Sequence, residues 1–205
     1  YVPLVRRAYE LWHRLGAATN ETMIVETGGV YAGPPDGELV SGMLRAAREH
    51  HIDILELSHE EAGRQFPWLQ FDRGWQIIRE PRAGFLYAEK CIAAHLRTAA
   101  GHGGKIYPNE PIVSWDARDD GVVVRTSRGE YEADKLILTT GAWMVDTLAD
   151  IGIETVVERQ PLFWFRTACR PSVVWALEFE HGKLLYGFPP SESGVKVAIH
   201  YGGVQ

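Results

Sequence analysis

A lysine, a histidine and a tyrosine near the carboxyl end are the residues whose spacing best supports chemistry. The segment Tyr186–His200, YGFPPSESGVKVAIH, predicts two strands joined by a turn. Side chains two positions apart on a strand share one face, so Lys196 and His200 project together. Tyr186 can join them across the hairpin. A polar face exposed to water is the plain alternative, and periodicity alone does not separate the two interpretations.

A second candidate is the segment LILTTGAW, residues 136–143. Its continuously apolar start predicts a strand buried in a parallel sheet. Small residues follow at the carboxyl end of this strand, where open α/β sheets bind ligands. Gly141 would allow the backbone to approach a flat or phosphorylated group. The alternative is a strand followed by a helix cap, with Trp143 in the core.

Three other kinds of chemistry lack support in the sequence. The glycine cluster at 101–105, GHGGK, follows a predicted helix and precedes a strand, which is the reverse of a dinucleotide-binding loop. His50, His51 and His59 lie near acidic residues but show no HExxH spacing, so they indicate a solvated surface. No GxSxG elbow occurs, so acyl transfer is not indicated.

Composition narrows the function classes further. The 205 residues suit one large domain or two small ones, and the net charge of -6 with scattered basic residues argues against nucleic acid as a partner. Cys91 and Cys169 lie far apart without a CxxC, so we expect no disulfide framework or zinc site and a cytoplasmic location. No segment is apolar enough to span a membrane. The first residue is not Met, and we expect a chain that was cut.

The positioning elements follow from apolar periodicity and turn residues. The pattern predicts helices over 3–18, from a cap at Asp36 onward, and over 88–100, and the sequence Ser58–Glu61 predicts a capping box. Residues 23–25 and 28–32 predict two short strands or one bent strand, and further strands are predicted within 74–87, at 105–107 and at 136–138. In residues 113–138 apolar and polar residues alternate, and two turns interrupt the pattern, which predicts an antiparallel meander. Residues 155–205 show the same alternation and predict a half-exposed antiparallel sheet.

Taken in order, several segments resemble one family along nearly the whole chain. They are YVPLVRRAYELW, GGVYAGP, REPRAGFLYAEKCI, GEYEADKLILTTGAW, VVERQPLFWF and YGFP followed by GVKVAIHYGG. The family is that of monomeric sarcosine oxidase and N-methyl-tryptophan oxidase, within the FAD-dependent glycine and D-amino acid oxidases. The resemblance implies an α+β fold derived from an α/β parent. It combines a substrate-binding domain, having a mixed or antiparallel sheet and flanking helices, with part of a Rossmann-type FAD-binding domain bearing a β-meander.

The resemblance also implies domain boundaries and site residues. Residues 1–100 would be the first part of the substrate domain, 101–150 part of the FAD-binding domain, and 151–205 the antiparallel sheet of the substrate domain. Matched positions place three residues at the amine site, five near the cofactor and Leu177 at a further substrate contact. The amine-site residues are Tyr186, Lys196 and His200, with Lys196 near flavin N5; the cofactor residues are Ile112, Thr139, Thr140, Gly141 and Trp143.

The implied reaction is oxidation of an N-methyl amino acid by FAD and oxygen, giving an imine, formaldehyde and hydrogen peroxide. The implied partners are a small amine and oxygen, without nucleic acid, membrane or metal. The family's GxGxxG would precede Tyr1 and its flavin-linking cysteine would follow Gln205, so the 205 residues alone should bind FAD weakly and not turn over. Two rivals stay open: a dehydrogenase of the same fold and a flavin-free module that binds a small amino acid.

Overall fold

The computed structural model describes residues 1–147 and 156–200, which divide into two compact units. Within the described residues, the first unit comprises 1–95 and 159–200, and the second comprises 96–147 and 156–158. The helices are α1 (Val2–Thr19), α2 (Glu38–His50), α3 (His59–Gln65), α4 (Ala88–Gly101) and α5 (Met144–Thr147). The strands are β1 (Ile24–Glu26), β2 (Gly29–Gly33), β3 (Leu55–Leu57), β4 (Gln76–Glu80), β5 (Gly84–Leu86), β6 (Ile112–Arg118), β7 (Gly121–Thr126), β8 (Glu130–Ala133), β9 (Leu162–Phe165), β10 (Val174–Glu180), β11 (Lys183–Gly187) and β12 (Val195–His200).

The helices predicted at 3–18 and 88–100 are confirmed as α1 and α4. α1 has proline in its first turn, where the missing N–H removes no helical hydrogen bond. Trp12 and Leu15 of α1 pack against a small buried cluster that contains Met23 and Cys91. Apolar residues three and four positions apart therefore form the contact face, as the helical period requires.

The capping box predicted at α3 is confirmed. The Ser58 hydroxyl accepts a hydrogen bond from the Glu61 N–H, while the Glu61 carboxylate accepts one from the Ser58 N–H at 2.8 Å. Both bonds occupy amide groups that the first helical turn leaves without partners. The hydrogen bonds from Ser58 hold the pKa of the Glu61 carboxyl below its ordinary value.

The cap predicted for α2 at Asp36 is wrong. The residue at the cap is Gly37, which has no side chain to offer, and the helix receives its acceptor from far along the chain. The Glu178 carboxylate on β10 accepts from the N–H groups of Glu38 and Leu39 at 3.0 and 2.9 Å. A carboxylate at this end of a helix is also favoured by the helix dipole.

A seven-stranded sheet forms the centre of the first unit, with the strand order β3-β4-β2-β10-β11-β12-β9. All its pairs are antiparallel except β2 with β10. The antiparallel sheet predicted for 155–205 is thus confirmed in β9 to β12, and β10 joins it to the earlier strands. Residues 155 and 201–205 of that prediction lie outside the described residues. One face carries the main core, which consists of Val30, Ala32, Ala62, Phe66, Ile77, Val173, Trp175 and Leu177.

The second unit contains the predicted meander as a three-stranded antiparallel sheet, β6-β7-β8. Arg125 pairs with Asp116 and Glu130 across this sheet, and these exposed ion pairs add little stability individually. The strands predicted at 105–107 and 136–138 are wrong. No described strand pairs with either segment, and Ile137 is 85% exposed, so the apolar run alone did not make a strand.

Across residues 1–147 and 156–200, no helix has both the length and the apolar character needed to cross a bilayer.

Candidate functional site

The three residues of the predicted hairpin lie on one face of the seven-stranded sheet. β11 and β12 pair so that Tyr186 is opposite Ala198 and Leu184 is opposite His200. Lys196 and His200 lie two positions on either side of Ala198, and the strand period therefore gives all three the face of Tyr186. The side chains of Tyr186 and Lys196 are half-buried, whereas His200 is exposed.

Aromatic rings form a continuous row along this face. The ring of Tyr186 stands edge-on to that of His200 at 6.4 Å and to that of Phe188 at 5.9 Å. Phe188 in turn meets Phe85 at 6.3 Å, and Phe85 meets Tyr87 at 5.3 Å. Edge-to-face contacts at these separations are attractive because the positive ring edge meets the negative face. The row therefore links the hairpin to β5 and its following residue.

The ammonium group of Lys196 is placed between two of the aromatic rings. Its Nζ atom lies 5.1 Å from the centre of the Phe188 ring and 5.6 Å from that of Trp164. Trp164 is opposite Lys196 in the β9–β12 register, so the sheet itself fixes this neighbour. The face thus combines a cation, a phenol and an imidazole within a wall of aromatic rings.

The turn of the hairpin depends on Gly194. Ser191 and Gly194 exchange two backbone hydrogen bonds, and Gly194 adopts a φ of +117°. A Cβ atom at this position would lie 2.4 Å from the Phe165 carbonyl oxygen. Both the dihedral angle and the lack of space therefore require glycine at the position that starts β12 toward Lys196.

Replacement of Gly194 by Ala is expected to lower the free energy of unfolding by about 1 to 3 kcal/mol. The added methyl group strains the backbone and displaces β9 from β12. Thermal unfolding of the natural-length protein, meaning the protein as its gene encodes it, measures the effect. Gly129→Ala is the matched control, because this hairpin glycine has open space around its Cβ position. Equal transition temperatures for the two variants would contradict the assigned role of Gly194.

The reverse face of the hairpin belongs to the core and not to the site. Gly187 is buried beneath the indole of Trp175, whose ring atoms would lie 2.5 to 2.7 Å from a Cβ atom there. Leu177, opposite Leu185, is part of the main core cluster. The alternation along β10 turns the side chain of Leu177 away from Tyr186, and the substrate contact expected for Leu177 stays a prediction.

The five predicted cofactor residues lie in the second unit. Ile112 begins β6 and is 47% exposed. Thr139 and Thr140 precede the turn Gly141–Trp143, in which Gly141 has a φ of +58° and open space around its Cβ position.

The exposure of Trp143 bears on the alternative interpretation of this segment. Trp143 is 73% exposed, so the alternative of a core tryptophan is wrong.

A separate polar cluster in the first unit connects α1 to β1 and to the turn between β4 and β5. The Glu26 carboxylate lies 3.0 Å from His13 Nε2 and accepts from Arg82 Nε at 3.3 Å, and the Tyr9 hydroxyl donates to the Arg82 carbonyl oxygen. Burial, followed by the charge of Glu26, raises the pKa of the Glu80 carboxyl. These groups bind one another and serve the packing of α1.

Sequence reasoning did not identify the aromatic residues around Lys196. Phe85 and Tyr87, like Tyr186 and Phe188, are aromatic at alternate positions, which is the strand signal for one shared face. That signal was present, but it does not say which strands meet. Trp164 became a neighbour of Lys196 only through the register of β9 with β12.

Comparison with known proteins places these features in a wider group. A family model described as FAD dependent oxidoreductase, named DAO, matches residues 1–198. The monomeric sarcosine oxidase of Streptomyces avermitilis is 34% identical over 100% of this chain and 56% of its own length. The N-methyl-L-tryptophan oxidase of Salmonella arizonae is 29% identical over 99% of this chain and 55% of its own. The chain spans about half the length of these curated relatives.

The fold is also similar to that of solved structures. The solved open form of NikD, an unusual amino acid oxidase essential for nikkomycin biosynthesis, superimposes with a TM-score of 0.80 at 22% identity. The match covers 96% of this chain and 55% of NikD. Since the identity is low, this similarity concerns the fold alone.

Proposed function

The chain belongs to the DAO family of FAD-dependent oxidoreductases, and from this premise we propose that the natural-length protein oxidises the C–N bond of an N-methylated amino acid with oxygen. The observation that carries the proposal is the shared face of Tyr186, Lys196 and His200 on paired strands. The amine loses two electrons and two protons to give an imine, which water splits into the primary amine and formaldehyde. Oxygen takes up the two electrons and two protons and leaves as hydrogen peroxide.

FAD, when bound, supplies the two-electron acceptor that no amino-acid side chain can provide. The exposed residues Ile112 and Trp143, with the hydroxyl groups of Thr139 and Thr140, fit such a flat group in their own unit. The remaining tasks belong to the side chains of the first unit. They must bind the substrate, keep its amine neutral and stabilise charge.

Tyr186 and His200 have the chemistry to handle the substrate. An ammonium has no lone pair to release, so the site must favour the neutral amine. Imidazole is a side-chain base suited to taking up a proton from a substrate amine, which makes His200 the candidate acceptor for the substrate proton. The Tyr186 hydroxyl can donate a hydrogen bond to the substrate, and the ring contact between the two side chains fixes their relative orientation.

Lys196 has the chemistry to assist oxygen. Reduction of oxygen develops negative charge, and a cation held nearby stabilises that charge most strongly where water is excluded. The half-burial of Lys196 among aromatic rings removes part of the water around its ammonium group. The positive charge of Lys196 therefore serves the reoxidation of the flavin by oxygen, whereas Tyr186 and His200 serve the oxidation of the amine by the flavin.

The first half of the proposal is tested by anaerobic mixing of the natural-length protein with sarcosine, N-methyltryptophan, proline and glycine. An N-methyl amino acid is expected to bleach the flavin fastest. Tyr186→Phe should weaken binding of that amine about two- to tenfold, because one hydrogen bond is lost. Tyr131→Phe is the control, since that hydroxyl donates to Glu110 in the other unit. If none of the four compounds bleaches the flavin, the proposed oxidation of an N-methyl amino acid is refuted.

A further inference from the structure

The surroundings of Lys196 show how its charge can be held without being neutralised. Among the described residues, no carboxylate forms an ion pair with its ammonium group, whose recorded contacts are the rings of Phe188 and Trp164. A carboxylate would bind a lysine and cancel its charge. An aromatic face attracts the cation through its quadrupole and leaves the net charge in place.

The backbone fixes both rings relative to Lys196. Trp164 lies directly opposite Lys196 in the β9–β12 register. The Phe188 N–H donates to the Lys196 carbonyl oxygen at 3.2 Å, which extends the β11–β12 pairing by one residue. The two rings thus come from strands on either side of β12, and a long flexible side chain lies between them.

We propose that Trp164 and Phe188 are positioning residues that hold the Lys196 ammonium, still charged, on the face that carries Tyr186 and His200. The catalytic meaning of this arrangement rests on the proposed amine oxidase function. The arrangement itself does not, because the ring contacts belong to the folded chain. Trp164 carries the test best, since it is 48% exposed and its replacement removes little from the core.

The position of the ammonium can be measured without turnover. Reductive methylation with ¹³C-formaldehyde labels each lysine of the natural-length protein and preserves its charge, and Lys196→Arg identifies the signal of Lys196. Ring currents should move the N-methyl proton signal of Lys196 upfield of that of Lys183, which is ion-paired with Glu180. Trp164→Leu should return it toward the position of Lys183, and Phe188→Leu should do so as well.

A matched control comes from the same strand. Phe163 is opposite Val197 in the register, so it occupies the reverse face, and it is 55% exposed. Phe163→Leu removes an aromatic ring of similar exposure and should leave the Lys196 signal unchanged. A Lys196 signal that does not move in either Trp164→Leu or Phe188→Leu would overturn the proposal.

Stopped-flow kinetics adds the functional test. Trp164→Leu should slow reoxidation of the flavin by oxygen about two- to fivefold, the value of one exposed cation–π contact. Flavin reduction by the amine should be unchanged, and Trp164→Phe should restore most of the reoxidation rate because it keeps a ring. Slowing of reduction instead of reoxidation would overturn the positioning role. A protein without oxidase activity would refute the proposed function, while the lysine signals would still decide where the ammonium is held.

Discussion

Replacement of Lys196 by Met is expected to slow flavin reoxidation by oxygen about 10²- to 10³-fold, with a much smaller effect on flavin reduction by the amine. Methionine keeps a long apolar side chain between the two rings but removes the positive charge. Charge develops on oxygen only in the second half-reaction, so the loss should fall there. Stopped-flow absorbance of the flavin measures both half-reactions separately in the natural-length protein.

Lys183→Met is the matched control for this experiment. Lys183 lies on the neighbouring strand β11 and pairs with Glu180 at 3.0 Å, so its removal also deletes one positive charge from the same sheet. Reoxidation in this variant should match that of the unchanged protein. Equal slowing of both half-reactions by Lys196→Met would contradict a role in oxygen reduction.

Replacement of Glu178 by Ala is expected to lower the free energy of unfolding by about 3 to 5 kcal/mol. The side chain is fully buried, and its carboxylate accepts from the N–H groups of Glu38, Leu39 and Gly182. Truncation leaves these three donors without their acceptor and removes the only cap that α2 receives from a side chain in the described part of the chain. Urea unfolding monitored by circular dichroism measures the loss.

The same carboxylate should make stability depend on pH. Burial alone would raise the pKa of Glu178, but hydrogen bonds from the N–H groups of Gly182, Leu39 and Glu38, together with the charge of His181, outweigh it and lower the pKa below the ordinary 4.5. A group with a lowered pKa in the folded state stabilises the protein above its ordinary pKa. This contribution is lost as the pH falls through the lowered value.

Glu180→Gln separates this effect from a general loss of acidic residues. Glu180 ends β10 two residues after Glu178, is exposed, and pairs only at the surface with Lys183. The free energy of unfolding of this variant should lie within about 1 kcal/mol of that of the unchanged protein. Glu178→Gln should lower the free energy of unfolding, because the amide presents an N–H group where a backbone N–H needs an acceptor. The stability of this variant should also no longer fall in acid through this position, because the amide does not titrate. An unchanged acid dependence in Glu178→Gln would contradict the account.

Local signals made a large part of the fold predictable from the sequence. The helical period of α1 and α4, the capping box of α3 and the alternation of the meander each depend on residues within a few positions of one another. The common face of Lys196 and His200 also followed from local rules, because residues four positions apart on one strand share a face, whereas the face of Tyr186 depends on the register of β11 with β12. For such features the nearby chain contains all the information.

The features that failed depend on distant partners. The cap of α2 comes from Glu178, which is 140 residues from Glu38, and no pattern around Asp36 could reveal it. The apolar segments 105–107 and 136–138 have no described neighbouring strand, and a strand exists only through its pairing. Likewise, the contact of Trp164 with Lys196 arises from the order of β9 and β12 in the sheet.

The most direct test of the central claim is the product balance of the natural-length protein in air. With an N-methyl amino acid that bleaches the flavin, each mole of amine consumed should yield one mole of formaldehyde and one mole of hydrogen peroxide. Flavin that is reduced by the amine but stays reduced in air, and returns only with an added electron carrier, would identify a dehydrogenase. That result would contradict the oxidase assignment and the role given to Lys196.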